Sequence, residues 1–123
     1  MIPLIPLIQK VLDQDPRVVF AYLYGSALEG EEYRDVDVAI YADPESDPFG
    51  VTADLKIALS RETDLPPDRF DIQVINRADN LLFLQQVLNG RLLMDRGGEV
   101  RGDFIESFSM RYRESEGILS EAF

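Results

Sequence analysis

The feature that most constrains the fold is an alternation of short β-branched segments with segments of helical periodicity. Four segments read as strands: Val18 to Tyr24, Val36 to Tyr41, Phe70 to Ile75 and a short Arg91 to Met94. Apolar residues recur at helical spacing over residues 4–14, about 52–62, 79–88 and again after 98. Prolines and polar residues between Asp43 and Gly50 predict a mobile loop. This order predicts an α+β (or α/β) fold in which helices flank one small sheet.

The length and composition set the organisation and remove several kinds of chemistry. We expect one domain over residues 1–123, with residues 99–123 as a C-terminal helix. The chain has neither cysteine nor histidine, so Cys/His zinc sites and Ser-His-Asp or Cys-His catalytic groups have no residues to form them. The apolar start is broken by Pro3 and Pro6 and does not resemble a signal peptide. No other apolar run reaches the roughly 20 residues that cross a bilayer, so a soluble, cytoplasmic protein is expected.

The charge of the chain bears on its partners. It has 23 acidic and 12 basic residues, a net charge of -11. Proteins that bind nucleic acid gain affinity largely from Lys and Arg that neutralise phosphates. We therefore expect no direct nucleic-acid binding and no template-directed polymerase activity.

Three aspartates stand on the polar sides of two predicted strands. Asp35 and Asp37 are two residues apart at the start of the second strand, so both carboxylates point to one face. Asp71 stands in the third strand between Phe70 and Ile72, which turn to the core. If these two strands are neighbours, the three carboxylates converge.

Such a cluster needs a positive charge, because two like charges about 4 Å apart repel by roughly 4 kcal/mol at an effective dielectric of 20. With no histidine present, a divalent cation with oxygen ligands, Mg²⁺ before Ca²⁺, is the natural partner. The alternative is that strand-end carboxylates simply face solvent. An Asp-x-Asp pattern alone does not separate the two interpretations.

Gly25 and Ser26 follow the first buried strand directly. Glycine allows the backbone to approach a ligand closely, and N–H groups at the start of a helix can receive phosphate oxygens. Ser26 to Glu29 also fits a capping box, in which the serine hydroxyl satisfies a free backbone N–H. Both roles use the same unpaired donors and are compatible.

These motifs together resemble the signature of the polymerase-β-like nucleotidyltransferases. The likeness rests on Tyr22 to Ser26, eight intervening residues, Asp35 to Ile40, and the strand around Asp71. In length and order, including the segment from Leu84 to Asp95, the chain is similar to the minimal nucleotidyltransferases (MNT) related to MntA antitoxins. The family pattern carries a small residue where this chain has Arg34.

The resemblance implies a mixed sheet, ATP as substrate, and Mg²⁺, with two ions when nucleotide is bound. It assigns metal binding and catalysis to Asp35, Asp37 and Asp71, and triphosphate binding to Gly25 and Ser26. It also implies a HEPN-family toxin as partner, inactivated by adding AMP to a tyrosine, in a homo- or hetero-oligomer. Glu29, Glu31 and Glu32 add negative charge beside the expected phosphate site.

Two other functions remain open from the sequence. A catalytically weak or inactive relative would act as a binding module that neutralises its partner by contact. Transfer to a small hydroxylated molecule usually needs an additional substrate domain. Phe104, Phe108 and Tyr112 recur every four residues, and this stripe either packs on the protein's own sheet or forms a partner surface.

Overall fold

The computed structural model describes the backbone of residues 3–29 and 35–121, and their side chains apart from Glu29 and residues 116–121. In chain order, the elements are α1 (Leu4–Gln14), β1 (Val18–Tyr24), α2 (Ser26–Glu29), β2 (Val36–Ala42), α3 (Pro48–Thr63), a 3-10 turn (Pro67–Arg69), β3 (Phe70–Val74), α4 (Leu81–Leu88), β4 (Arg91–Asp95) and α5 (Glu99–Glu121).

The described strands form one mixed sheet in the order β3-β2-β1-β4. β1 pairs with β2 and with β4 in antiparallel orientation, whereas β2 and β3 are parallel. A parallel pair needs a long crossover, and α3 provides it. The predicted α+β fold with a small mixed sheet and flanking helices is therefore confirmed.

Each face of the sheet carries its own apolar cluster. One face packs against α1 and α3; its largest buried side chains are Ile8, Leu12, Leu23, Ile40, Leu55, Leu59 and Phe70. The other face packs against α4 and α5, around Phe20, Tyr22, Tyr24, Ile75 and Leu84. Because β1 lies between two other strands and both faces are covered, six of its seven residues are buried, as its continuous apolar run predicts.

The segment predicted as a mobile loop is partly helical, which corrects that expectation. The α3 helix begins at Pro48, four residues before the predicted start at Thr52. Asp47 caps it by accepting a hydrogen bond from the N–H of Phe49, and Pro48 occupies the first turn, where a missing N–H costs nothing. The cap and the proline together begin the helix before its apolar periodicity does.

The aromatic stripe of α5 packs on the protein's own sheet. The ring of Phe104 lies 5.6 Å from that of Phe20 and 5.8 Å from that of Tyr41, both in edge-to-face geometry. Phe108 packs on the same cluster, and the Tyr112 hydroxyl accepts a hydrogen bond from Gln85 in α4. Of the two interpretations of this stripe, the internal one is correct for the described contacts. Within the described residues, no helix has the length and apolar character needed to span a bilayer.

Candidate functional site

Asp37 and Asp71 lie side by side on the two parallel strands. They are register partners in the β2–β3 ladder, and neighbouring strands are about 4.8 Å apart. Their neighbours Val36, Val38, Phe70 and Ile72 belong to the apolar cluster under α1 and α3. Because side chains alternate along a strand, both carboxylates point to the opposite face. The expected adjacency of the second and third strands is present.

The third predicted acid is less closely joined to this pair. Asp35 is exposed and precedes β2, and its charge acts on Asp37. Asp71 is hydrogen-bonded within its own strand, because Gln73 Nε2 donates a hydrogen bond of 3.0 Å to Asp71 Oδ1. In the part of the chain that the structure describes, no three acidic side chains are gathered closely enough to hold a metal ion.

The electrostatics of Asp37 mark it as a constrained group. Its pKa is raised, first by burial and then by the negative charges of Asp71 and Asp35. A cation beside Asp37 would act against both effects, because it favours the charged form of the carboxylate. The donor set therefore fits a hard divalent cation in its chemistry: carboxylate oxygens, and one carboxylate whose charge the surroundings disfavour.

Tyr24 belongs to the same site, although its sequence position alone predicts no role for it. It is the antiparallel register partner of Asp37 and is buried, with its ring 5.7 Å from Phe83 of α4. Burial and the charges of Asp37 and Asp71 raise the pKa of its hydroxyl, so this hydroxyl stays neutral. Its position directly before Gly25 was the available signal, but only the strand pairing shows that it lies opposite an acid.

Gly25 is packed against the Asp37 carboxylate. It has a φ of 78°, and a Cβ on Gly25 would collide with Asp37 Oδ2. The sequence predicts a close approach of the backbone at this glycine, and the group that approaches is the aspartate. The Gly25 carbonyl accepts a hydrogen bond of 3.2 Å from the N–H of Leu28, which starts the short α2 helix with Ser26 exposed.

Several predictions fall on parts of the chain outside the described residues. These are the departure at Arg34 and the acidic side chains of Glu29, Glu31 and Glu32. The capping box also depends on the Glu29 side chain.

Comparison with known proteins identifies the family of the chain. Residues 7–99 match the family "Polymerase beta, Nucleotidyltransferase", and the chain therefore belongs to the polymerase beta nucleotidyltransferase family. No curated protein matches the sequence significantly.

The solved structures similar to the chain include toxin–antitoxin complexes. A toxin–antitoxin structure with AMP-PNP has a TM-score of 0.65 and 23% identity, and the match covers 96% of this chain and 97% of that one. A structure of a tri-AMPylated HEPN toxin in complex with MNT antitoxin, from Shewanella oneidensis, has a TM-score of 0.61 and 22% identity. The match covers 97% of this chain and 95% of that one. A structure of the toxin–antitoxin MntA–HepT has a TM-score of 0.60 and 21% identity, and the match covers 97% of this chain and 96% of that one. At these identities, the likeness establishes the shared fold.

Proposed function

We propose that the chain transfers AMP from ATP to a hydroxyl group of a partner protein, as the antitoxin of a HEPN/MNT toxin–antitoxin pair. One observation carries this proposal: Asp37 and Asp71 are register partners on parallel strands, with Gly25 packed against Asp37. In a chain of the nucleotidyltransferase family, an acidic pair beside a glycine turn supports metal and phosphate binding at this end of the sheet.

Asp35, Asp37 and Asp71 are the proposed ligands of two Mg²⁺ ions, and the side chains of Asp35 and Asp71 are exposed to such ions. When bound, the ions neutralise the carboxylates and polarise the phosphates of ATP. Gly25 and the N–H groups that follow it, with the Ser26 hydroxyl, hold the triphosphate oxygens.

In the proposed reaction, the acceptor hydroxyl oxygen forms a bond to the α-phosphorus of ATP. The bond from that phosphorus to the oxygen bridging to the β-phosphate breaks, and pyrophosphate leaves. Asp71 accepts the proton of the hydroxyl, because a carboxylate within hydrogen-bond reach can act as general base. Tyr24, neutral and buried, forms part of the wall beside the acids and keeps bulk water from Asp37. No covalent enzyme intermediate is needed.

The similar structures support the choice of nucleotide and partner. One was solved with AMP-PNP, and another contains a HEPN toxin that carries AMP. The net charge of -11 also favours a basic protein as acceptor over a nucleic acid.

The decisive experiment is incubation with α-³²P-labelled ATP, Mg²⁺ and the protein encoded by the adjacent gene, which the proposal expects to be a HEPN protein. We expect label on the partner, and a loss on the order of a hundredfold or more in Asp37→Asn. Asp103→Asn, which removes the same charge from an exposed position on α5, is the matched control. Equal labelling by the double variant Asp35→Asn and Asp37→Asn would refute the role of these residues.

A second candidate, neutralisation by contact alone, is favoured by one observation: the described acids are not gathered around a metal position. It predicts that Asp37→Asn still protects cells from the partner toxin. Protection that disappears with the labelling would exclude it.

A further inference from the structure

The outer edge of β3 is free within the described residues. β3 ends the sheet, and its inner side pairs with β2. The N–H of Ile75 donates to the carbonyl of Ile40, and backbone groups alternate sides along a strand. The N–H and C=O groups of Ile72 and Val74 therefore face outward, where an additional strand can pair with them.

A groove of about 390 Å³ runs beside this edge, between β3 and α3. Ile72 and Val74 line one side, and Thr52 and Lys56 line the other. Phe49 stands at the start of α3 with 86% of its surface exposed. A large exposed aromatic side chain beside an unpaired strand edge has the character of an interface anchor.

The same strand carries Asp71, which connects this edge with the proposed site. We infer that an extended segment of the acceptor protein adds to the free edge of β3 as a fifth strand. Directly opposite residues of paired strands have Cβ atoms about 4.5–5.5 Å apart, so a hydroxyl side chain opposite Asp71 lies beside its carboxylate. This docking mode rests on the proposed function and explains how the acceptor hydroxyl reaches Asp71.

Charge favours an acceptor segment over a second copy of the chain. Pairing two β3 edges would bring together two molecules of net charge -11 and place their Asp71 side chains near each other. A segment rich in Lys or Arg meets the opposite field. The occupant is thus a basic, extended segment that carries Ser, Thr or Tyr.

The test uses the protein encoded by the adjacent gene as probe, together with two edge variants. Val74→Pro removes an outward N–H while leaving the β2 ladder its donors, and Phe49→Ala removes the exposed aromatic ring. Met110→Ala, a 55% exposed apolar residue on α5, is the matched control. For each variant, the measurements are the thermal melt, MgATP affinity by calorimetry, affinity for the probe, and labelling as a function of probe concentration.

We expect both edge variants to raise the KM for the probe at least tenfold, with MgATP affinity unchanged and Met110→Ala equal to wild type. If Val74→Pro does not fold, Phe49→Ala carries the test. The inference is overturned if Phe49→Ala and a folded Val74→Pro both behave like the wild type. It is also overturned if the chain forms a dimer that Val74→Pro dissociates.

Failure of the proposed function is recognised separately, because the wild type would then transfer no label. In that case the affinity for the probe tests the docking mode by itself. Binding of the probe that is weaker in the edge variants than in the wild type supports the docking mode. Unchanged binding, or none by the wild type, rejects it.

Discussion

Gly25 and Asp37 illustrate how one residue's lack of a side chain fixes the place of another. The φ of 78° at Gly25 already favours glycine, and the Asp37 carboxylate fills the space of its missing Cβ. A substitution here therefore has two separate costs, one in the backbone and one in the site.

Gly25→Ala is expected to lose about 1–2 kcal/mol from the positive φ alone, plus the displacement of Asp37. Gly97→Ala is the matched control, since Gly97 has a φ of 91° and, beyond its chain neighbours, no atom of the described residues lies within 4 Å of its hypothetical Cβ. Urea unfolding gives the stabilities, and calorimetry gives the MgATP affinity. We expect both variants to be destabilised and only Gly25→Ala to lose affinity. Equal affinities would show that the Gly25–Asp37 packing does not matter to the site.

At the scale of elements, periodicity predicts most of the fold, and tertiary contacts decide the rest. The strand pattern around Asp37 and Asp71 was sufficient to predict that both point away from the apolar face formed by their strand neighbours, which packs under α1 and α3. Parallel pairing in register depends on the crossover through α3, which a local pattern does not encode. The early start of α3 at Pro48 depends on the Asp47 cap, and the place of Tyr24 in the site depends on its pairing with Asp37. Sequence alone therefore predicted which way the two acidic side chains point but missed the neighbouring Tyr24.

The packing of α5 yields a prediction about stability. Phe104→Ala should lower the free energy of unfolding by about 2–4 kcal/mol, because it leaves a cavity between Phe20 and Tyr41. Met110→Ala, on the same helix but exposed, should change it by less than about 0.5 kcal/mol. Urea unfolding monitored by circular dichroism makes the comparison. A similar small change in both would mean that α5 is not held by its aromatic stripe.

At the scale of the whole molecule, the excess of negative charge works against the stability of the folded chain when no metal is bound. The chain has a net charge of -11, and the acids of the site add local repulsion to this general one. Asp15 acts in the opposite sense: its hydrogen bonds to Arg17 lower its pKa, and its stabilising effect is lost as the pH falls through that lowered value.

Asp37 makes stability depend on pH with a definite sign. Because its pKa is raised in the folded state, the folded chain binds its proton more tightly than the unfolded chain does. The resulting stabilisation is complete below the ordinary value of 3.8 and is lost as the pH rises through the raised value. In EDTA at pH 7, Asp37→Asn should therefore be more stable than wild type, and the difference should shrink towards pH 4.

Urea unfolding of both proteins across this range is the measurement, with Asp103→Asn as a control for simple loss of charge. A difference that does not vary with pH, or a less stable Asp37→Asn at pH 7, would contradict the assignment.

The in-register pairing of β2 with β3 also limits how sequences of this kind can diverge. Side chains alternate with a period of two, so a slip of one residue between these strands would bury Asp71 and turn Ile72 outward. Such a slip would separate the two acids in one step. An insertion or deletion within either strand therefore threatens this pair more than a substitution does, unless a loop or a bulge absorbs the extra residue.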